Sequence, residues 1–424
     1  MPNRKEAPVL SGLSAPKLLQ HEKSTLSNGI EVVVMSDPSQ EVFKLDIVFQ
    51  SGSWYQTQPL VASTMLNMLN EGTSAHDAEA LAEVFDYYGA YVDYNNGMHK
   101  SELNMISLNK YAGETIPTLS EMIQDSIFPE KELEIFLRNK QQEFLVNREK
   151  TSYLARKEFN RALFGASHPY ANIVEEQDFD HIKRELLVAF YQQHIHAGNC
   201  RIMLSGNVSS HILSETEKAF SSLKRPSQII VEPTHTIISD KPGSYRVTKK
   251  DAVQSSIRIG KAGVPLTHKD YPGFQLLNTV LGGYFGSRLM SNIREEKGYT
   301  YGINSFNVSL PSSSFWAIAT DVNGNQAEAT IQESLNEIRR IQNELIPEDE
   351  LQLVKNYLHG DLLRELDGVF SQSDALKHKL NYGMDNQFYI SMIQQINRCT
   401  APELRELANQ YLNIDELYIV VAGN

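Results

Sequence analysis

Ile123-Gln124-Asp125-Ser126-Ile127-Phe128-Pro129-Glu130-Lys131-Glu132-Leu133 returns 218 residues later (123 to 341) as Ile341-Gln342-Asn343-Glu344-Leu345-Ile346-Pro347-Glu348-Asp349-Glu350-Leu351. The Ile, Gln, Pro, both Glu and the Leu keep their places. A second echo sets Arg201-Ile202-Met203-Leu204-Ser205-Gly206-Asn207 against Tyr418-Ile419-Val420-Val421-Ala422-Gly423-Asn424, an offset of 217 (201 to 418). Two echoes at nearly one offset mean that one domain occurs twice. Solenoid units run to roughly 20 to 50 residues, so a period this long reflects duplication. Between the copies, Arg225-Pro226-Ser227 and Asp240-Lys241-Pro242-Gly243-Ser244 frame a polar, breaker-rich segment that reads as a linker. The expected domains are therefore 1–234 and 235–424.

Each copy reads as α+β. Asn28-Gly29 marks a tight turn into Ile30-Glu31-Val32-Val33-Val34, and Phe43, Leu45, Ile47 and Phe49 alternate with mostly polar neighbours as in a half-buried strand. Hairpin-linked, mainly antiparallel sheets covered by helices are expected. Ser74 with Asp77 resembles a capping box opening a helix whose Leu81, Val84, Phe85 and Tyr88 share one face before Gly89. In the second copy Ile331, Leu335, Ile338, Ile341 and Leu345 trace a similar stripe, which reads as a core face.

A length of 424 residues exceeds one ordinary core and suits two domains of about 200 residues each. With 52 acidic and 39 basic residues the net charge is −13, which argues against nucleic acid as a partner. The start, Met1-Pro2-Asn3-Arg4-Lys5-Glu6-Ala7-Pro8, lacks a signal-peptide core, and no stretch approaches the roughly 20 apolar residues of a membrane span. A soluble, cytoplasmic protein is expected. Only Cys200 and Cys399 are present, so neither a disulfide framework nor a Cys-rich metal site is expected.

A zinc peptidase helix needs two His four residues apart on one face, with a Glu placed to polarise the metal-bound water. None of the 12 His has that spacing. The closest pair, His194 and His196, precedes a strand and reads as a helix C-terminus, with imidazoles near the dipole and backbone carbonyls. More informative is Ile293-Arg294-Glu295-Glu296-Lys297-Gly298-Tyr299-Thr300-Tyr301, which follows the glycine-rich Leu281-Gly282-Gly283-Tyr284-Phe285-Gly286-Ser287-Arg288. A helix stopping at Gly298 can project Arg294 beside the strand that starts there, so a forked cation and the Tyr301 phenol could converge on one carbonyl oxygen. Strand geometry alone leaves open whether Tyr299 or Tyr301 reaches that point.

Taken together, Leu26-Ser27-Asn28-Gly29-Ile30, the run ending Asn70-Glu71-Gly72-Thr73, the Phe190–Asn199 segment with its following strand, and the Gly282–Tyr301 block resemble the pitrilysin/insulinase family of zinc peptidases over most of the chain. In that family the helix before the Gly-Thr pair carries H-x-x-E-H. Here the matching positions are Ser63, Thr64, Met65, Leu66 and Asn67, so all three functional residues are absent. Glu143 lies near where the third ligand would fall, but a lone carboxylate cannot hold zinc and reads as a solvated helix residue. The family's second-domain Arg and Tyr, seven positions apart beside a glycine-rich segment, match Arg294 and Tyr301, and that spacing selects Tyr301.

The resemblance implies a divided site. A partner of the same fold would supply H-x-x-E-H and zinc, and this chain, without a cofactor of its own, would supply Arg294 and Tyr301 to hold the substrate carbonyl and oxyanion. Gly282, Gly283 and Gly286 would let backbone approach an extended peptide substrate, or serve as a plain turn. The chain is expected to be inactive alone and to form part of a heterodimeric zinc metalloendopeptidase when paired. Two alternatives stand beside this: a structural subunit like the core proteins of the respiratory cytochrome complex, and a peptide-binding module that adds a strand at a free sheet edge such as Ala90–Tyr94.

Overall fold

The computed structural model describes residues 16–226 and 232–424. The start Met1–Pro8 and linker residue Ser227 lie outside the described residues. The first half forms a six-stranded sheet from β1 (Glu22–Thr25), β2 (Glu31–Ser36), β3 (Val42–Phe49), β4 (Tyr91–Asn96), β5 (Ser101–Leu108) and β6 (Cys200–Gly206). The second half forms a five-stranded sheet from β7 (Gly243–Thr248), β8 (Gln254–Ala262), β9 (Thr300–Leu310), β10 (Ser313–Asn323) and β11 (Tyr418–Gly423). Strand order is β1-β2-β6-β3-β5-β4 in one and β7-β11-β8-β10-β9 in the other, so removing β1 leaves a single topology used twice. Both sheets are mainly antiparallel, with one parallel pair each, β2–β6 and β7–β11. The fold is two α+β domains.

The halves are locked by exchange. Helix Thr151–Phe164, encoded in the first half, lies on β8 and β11 of the second sheet, and its Phe159, Ala162 and Leu163 share a core with Ala317, Val420 and Ala422. Its counterpart 218 residues on (151 to 369), helix Val369–Leu380, covers β2 and β6 of the first sheet, where Val369 and Leu376 meet Val33, Met35 and Met203. The described linker follows the first of these helices. Ile238 and Asp240 donate backbone N–H groups to the carbonyls of Phe164 and Ala162.

That exchange changes how β3 is buried. The alternation predicts one wet face, yet Lys44, Asp46 and Val48 are buried as well as Phe43, Leu45, Ile47 and Phe49. Helix Val369–Leu380 supplies the cover and the counter-charges: Lys377 Nζ lies 3.3 Å from Asp46, 2.9 Å from Glu102 and 3.2 Å from Asp374, and Lys44 Nζ lies 2.6 Å from Asp374.

Two further expectations shift locally. Helix Ala78–Tyr88 is capped by Asp77, whose side chain accepts from Ala80 N–H, while Ser74 turns away to hydrogen-bond Asp125. The nearer acid wins because its oxygen already faces the free amides of the first turn. Ile331, Leu335, Ile338 and Ile341 are buried along helix Ala327–Asn343, whereas Leu345 follows the helix end and is exposed. Among the described residues no helix is long and apolar enough to cross a membrane.

Candidate functional site

Helix Val61–Asn67 carries the positions where the metal motif would stand. Asn67 Nδ2 donates to the Ser63 carbonyl at 2.8 Å and Ser63 Oγ to the Leu60 carbonyl at 3.1 Å, so both polar groups serve the helix itself. Leu66, at the place of the Glu, is 0% exposed and belongs to the first domain's core. Glu143, on helix Glu130–Arg148, pairs with Lys140 at 2.9 Å and its side chain is 59% exposed. Among the described residues no cluster of three or more His, Cys, Asp or Glu could hold a metal ion. Writing the motif back with Ser63→His, Leu66→Glu and Asn67→His is expected to destabilise the chain by about 3 kcal/mol or more, because a carboxylate replaces a packed leucine. Urea unfolding together with a zinc stoichiometry measurement checks this; a stable variant with bound zinc contradicts it.

His194 and His196 sit at the end of helix Arg184–His194 as expected, but their partners differ from a cation at a helix dipole. The His194 ring packs 4.4 Å from Phe190 and 5.4 Å from Tyr55, and His196 Nδ1 accepts from Gly198 N–H at 3.0 Å. Burial lowers both pKa values, that of His194 to about 4, where neighbouring His196 adds to the effect. His99 is likewise pushed to about 4 by burial, with Lys100 and His235 adding to it. These rings fold as neutral groups. A folded pKa below the unfolded value of about 6.5 gives stability that is complete above that value and is lost as pH falls towards about 4. The urea midpoint is therefore expected to drop between pH 7 and pH 4.5, and His194→Phe, which keeps the ring contacts, to lose less.

The Arg/Tyr element is built from widened helix. Two π-helical segments, Thr279–Gly283 and Met290–Glu296, flank the glycine-rich turn, a form of helix that recurs at functional sites. Gly282 is needed for close approach: a Cβ there would lie 2.7 Å from Ser305 N on β9. Gly283 and Gly286 fit against Thr279 and the Tyr284 ring, so packing within the chain accounts for all three glycines. Gly298, with φ +65°, reverses the chain into β9. Below the turn, Asn292 Nδ2 donates to Glu337 at 2.7 Å and Glu333 at 3.2 Å, Lys297 pairs with Glu333 at 2.9 Å, and Arg288 makes two 2.8 Å bonds to Glu350.

On this base the two candidates face outward. The Arg294 guanidinium lies over the Phe285 ring, 4.5 Å from its centroid, and Phe285 is itself 64% exposed. Tyr301 is 94% exposed and lines a cleft of about 730 Å³ with Tyr299, Thr151 and Asp321. Gly282, Gly283 and Phe285 line an adjoining concavity of about 680 Å³ that follows β9 from Gly302. Three of the five predicted residues, Tyr301, Gly282 and Gly283, thus line neighbouring concavities at one end of β9, whereas Gly286 and Arg294 line neither. Among the described residues neither the Arg294 nor the Tyr301 side chain has a hydrogen bond or ion pair. Tyr299 packs against the second core, whereas Tyr301 is 94% exposed.

One feature escaped the sequence reading. A cavity of about 880 Å³ opens beside Ser63, walled by Trp54, Tyr55, Met98, His168, Ile173 and His235. Its signal was Gly52 before Trp54, one of only two tryptophans: a Cβ at Gly52 would lie 2.4 Å from the Met98 carbonyl, so glycine lets the Trp54 loop dock on the β4–β5 turn.

The fold and this site together define a class: a tandem α+β protein in which helix Val61–Asn67, without H-x-x-E-H, packs into the first core while Arg294 and Tyr301 stay on the outside of the second domain. Residues 181–358 match the family described as the peptidase M16 inactive domain. The chain is 25% identical to an uncharacterised zinc protease of Rickettsia felis, over 83% of this chain and 85% of that one. It is 23% identical to the non-peptidase homolog YmxG of Helicobacter pylori, over 86% and 84%. A peptidase M16 inactive domain from Pseudomonas fluorescens superposes with a TM-score of 0.82 at 22% identity, covering 96% of this chain and 98% of that structure. The chain thus resembles the M16 group, and the relatives it matches include both proteins named zinc proteases and one named a non-peptidase homolog.

Proposed function

We propose that this chain is the substrate-binding half of a two-subunit zinc peptidase, paired with a homologue that carries H-x-x-E-H and the metal. The observation that carries the reading is Tyr301, a phenol 94% exposed at the start of a packed strand and without a side-chain partner, close in sequence to an Arg294 held only by stacking. Neither group is used by folding. A phenol donates well to an oxygen that gains negative charge, and a guanidinium fork holds a carbonyl or carboxylate, so the pair suits the substrate side of peptide hydrolysis. Zinc on the partner would generate the attacking hydroxide. Both sheets also end in a strand with a free edge, β4 and β9, as binding an extended peptide requires.

The test is to copurify the chain with homologues from its own cell and assay fluorogenic peptides with each chain alone and mixed. Cleavage that needs both chains supports the proposal, and the isolated chain cleaving peptides with bound zinc defeats it. The free edge at β4 also favours a second reading, a peptide-binding module without cleavage. Peptide affinity that persists without cleavage in any mixture selects that one.

A further inference from the structure

In a regular strand the Tyr301 side chain would share a face with those of Ile303 and Ser305, both of which are buried. Tyr301 is instead exposed, and the pairing of β9 with β10 shows why. Ile303 pairs with Thr320 and Thr300 with Val322, so Tyr301 and Gly302 together stand opposite Asp321 alone. This is a β-bulge. It shifts the alternation by one residue and turns Tyr301 to the other face of the sheet, into the cleft that Asp321 also lines. The shared fold does not demand it: β4 and β5, the corresponding edge pair of the first sheet, run in unbroken register from Tyr91↔Ile106 to Asn96↔Ser101.

Two hydroxyls fasten the bulge. Gly302 N–H donates to Thr300 Oγ1 at 3.1 Å, and Thr300 Oγ1 donates to the Asp321 carbonyl at 2.8 Å, which ties the two strands together. Thr320 Oγ1 donates to the Gly302 carbonyl at 2.9 Å and lies 2.9 Å from Thr300 Oγ1. A hydroxyl has one hydrogen and two lone pairs, so this set uses each donor once and serves both backbone groups of Gly302. The Asp321 carboxylate accepts in turn from Ser256 Oγ, so the opposite strand is held as well. Gly302 is not there for space, because a Cβ on it would meet nothing within 4 Å. Exposed as it is, the Tyr301 ring is aimed by its backbone rather than by packing, so whatever fixes residues 300–302 fixes the phenol.

We propose that Thr300 and Thr320 are positioning residues, whose hydroxyls clamp the bulge that sets the Tyr301 phenol in its cleft. The inference rests on the preceding reading only in giving that phenol an oxyanion to meet. Thr320 is buried and acts through the backbone of Gly302, not on substrate. A donor held at the wrong distance fails only when charge develops on the substrate oxygen, so loss of the clamp falls on kcat and spares KM.

The experiment compares the double variant Thr300→Val with Thr320→Val, which keeps shape and β-branching but removes both hydroxyls, with the double variant Thr300→Ser with Thr320→Ser, which keeps them. The isolated full chain is labelled with fluorotyrosine, and the Tyr301 fluorine line is assigned by its loss in Tyr301→Phe. In the valine variant that line is expected to shift, and in the serine variant to stay at its wild-type place. Lines from tyrosines of the first domain are expected to stay in both, which excludes misfolding. In the paired assembly the valine variant is expected to lose about 10²-fold in kcat, the cost of about 1 Å of misplacement, with KM little changed, and the serine variant to recover most of it. A Tyr301 line unmoved by valine overturns the proposal, as does a serine variant shifted as far as the valine one. Full kcat in the valine variant while Tyr301→Phe is impaired also overturns it and leaves the subunit reading in place. If Tyr301→Phe cleaves normally, the subunit reading fails, and a line moved by valine and restored by serine still supports the clamp.

Discussion

Tyr301→Phe is expected to lower peptide cleavage by the paired assembly by about 10²–10³-fold, the cost of about 2.7–4 kcal/mol that follows loss of one oxyanion donor. Thermal unfolding of this chain should not move, because a hydroxyl on a side chain that is 94% exposed stabilises nothing in the fold. The two readouts together separate a catalytic from a structural role. The phenol donates to charge that exists only in the transition state, so the loss should fall on kcat with KM little changed. Arg294 differs, since a guanidinium can hold a carbonyl or carboxylate before reaction and so acts on KM as well. Arg294→Lys keeps the charge but not the fork or the full stacking on Phe285, and should recover only part of what Arg294→Ala loses. Full activity in both Tyr301→Phe and Arg294→Ala removes the assignment.

The duplication was readable because side-chain identities kept their spacing, and the same 218-residue offset that joins Ile123 to Ile341 also joins helix Thr151–Phe164 to helix Val369–Leu380. What no periodicity could show is that these helices cross over. An apolar stripe says that a face is buried, not which sheet buries it. Lys44 and Asp46 on β3 therefore read as a wet face, when the covering helix lies more than 320 residues away and brings its own Lys377 and Asp374. The parallel pairs β2–β6 and β7–β11 were equally invisible, since alternation is the same in either strand direction. The site was legible by the opposite route. Seven residues from Arg294 to Tyr301, with Gly298 between them, encode a helix end, a left-handed turn and a strand start, all local. The cavity beside Ser63 was not legible, because its walls come from four separate stretches of the chain.

Lys377→Met carries the largest expected effect on stability. Asp46 is 0% exposed, and Lys377 is one of two ammonium groups that answer it. Removing one partner of a buried charge set strands the other, which typically costs about 3–5 kcal/mol. Burial pulls the Lys377 ammonium down, but Asp46, Glu102 and Asp374 more than offset this and hold its pKa above the ordinary 10.5. A raised folded pKa means that the contribution is complete below about 10.5 and disappears as pH rises through the folded value. The gap between wild type and Lys377→Met in urea midpoint should therefore be full at pH 7 and begin to close above pH 10.5. Burial raises the Asp46 pKa despite both lysines, so its charge is tolerated only because they are there. Adding Asp46→Asn to Lys377→Met should then restore much of the loss, as a double-mutant cycle with strong coupling. An additive cycle would mean that Lys377 acts through packing alone. Each sheet is covered by a helix from the other half, so loosening this contact uncovers the first sheet while the second keeps helix Thr151–Phe164 tied to it. The variant is expected to unfold in a single transition at lower urea, and separate melting of the two halves would show that the exchanged helices do not couple them.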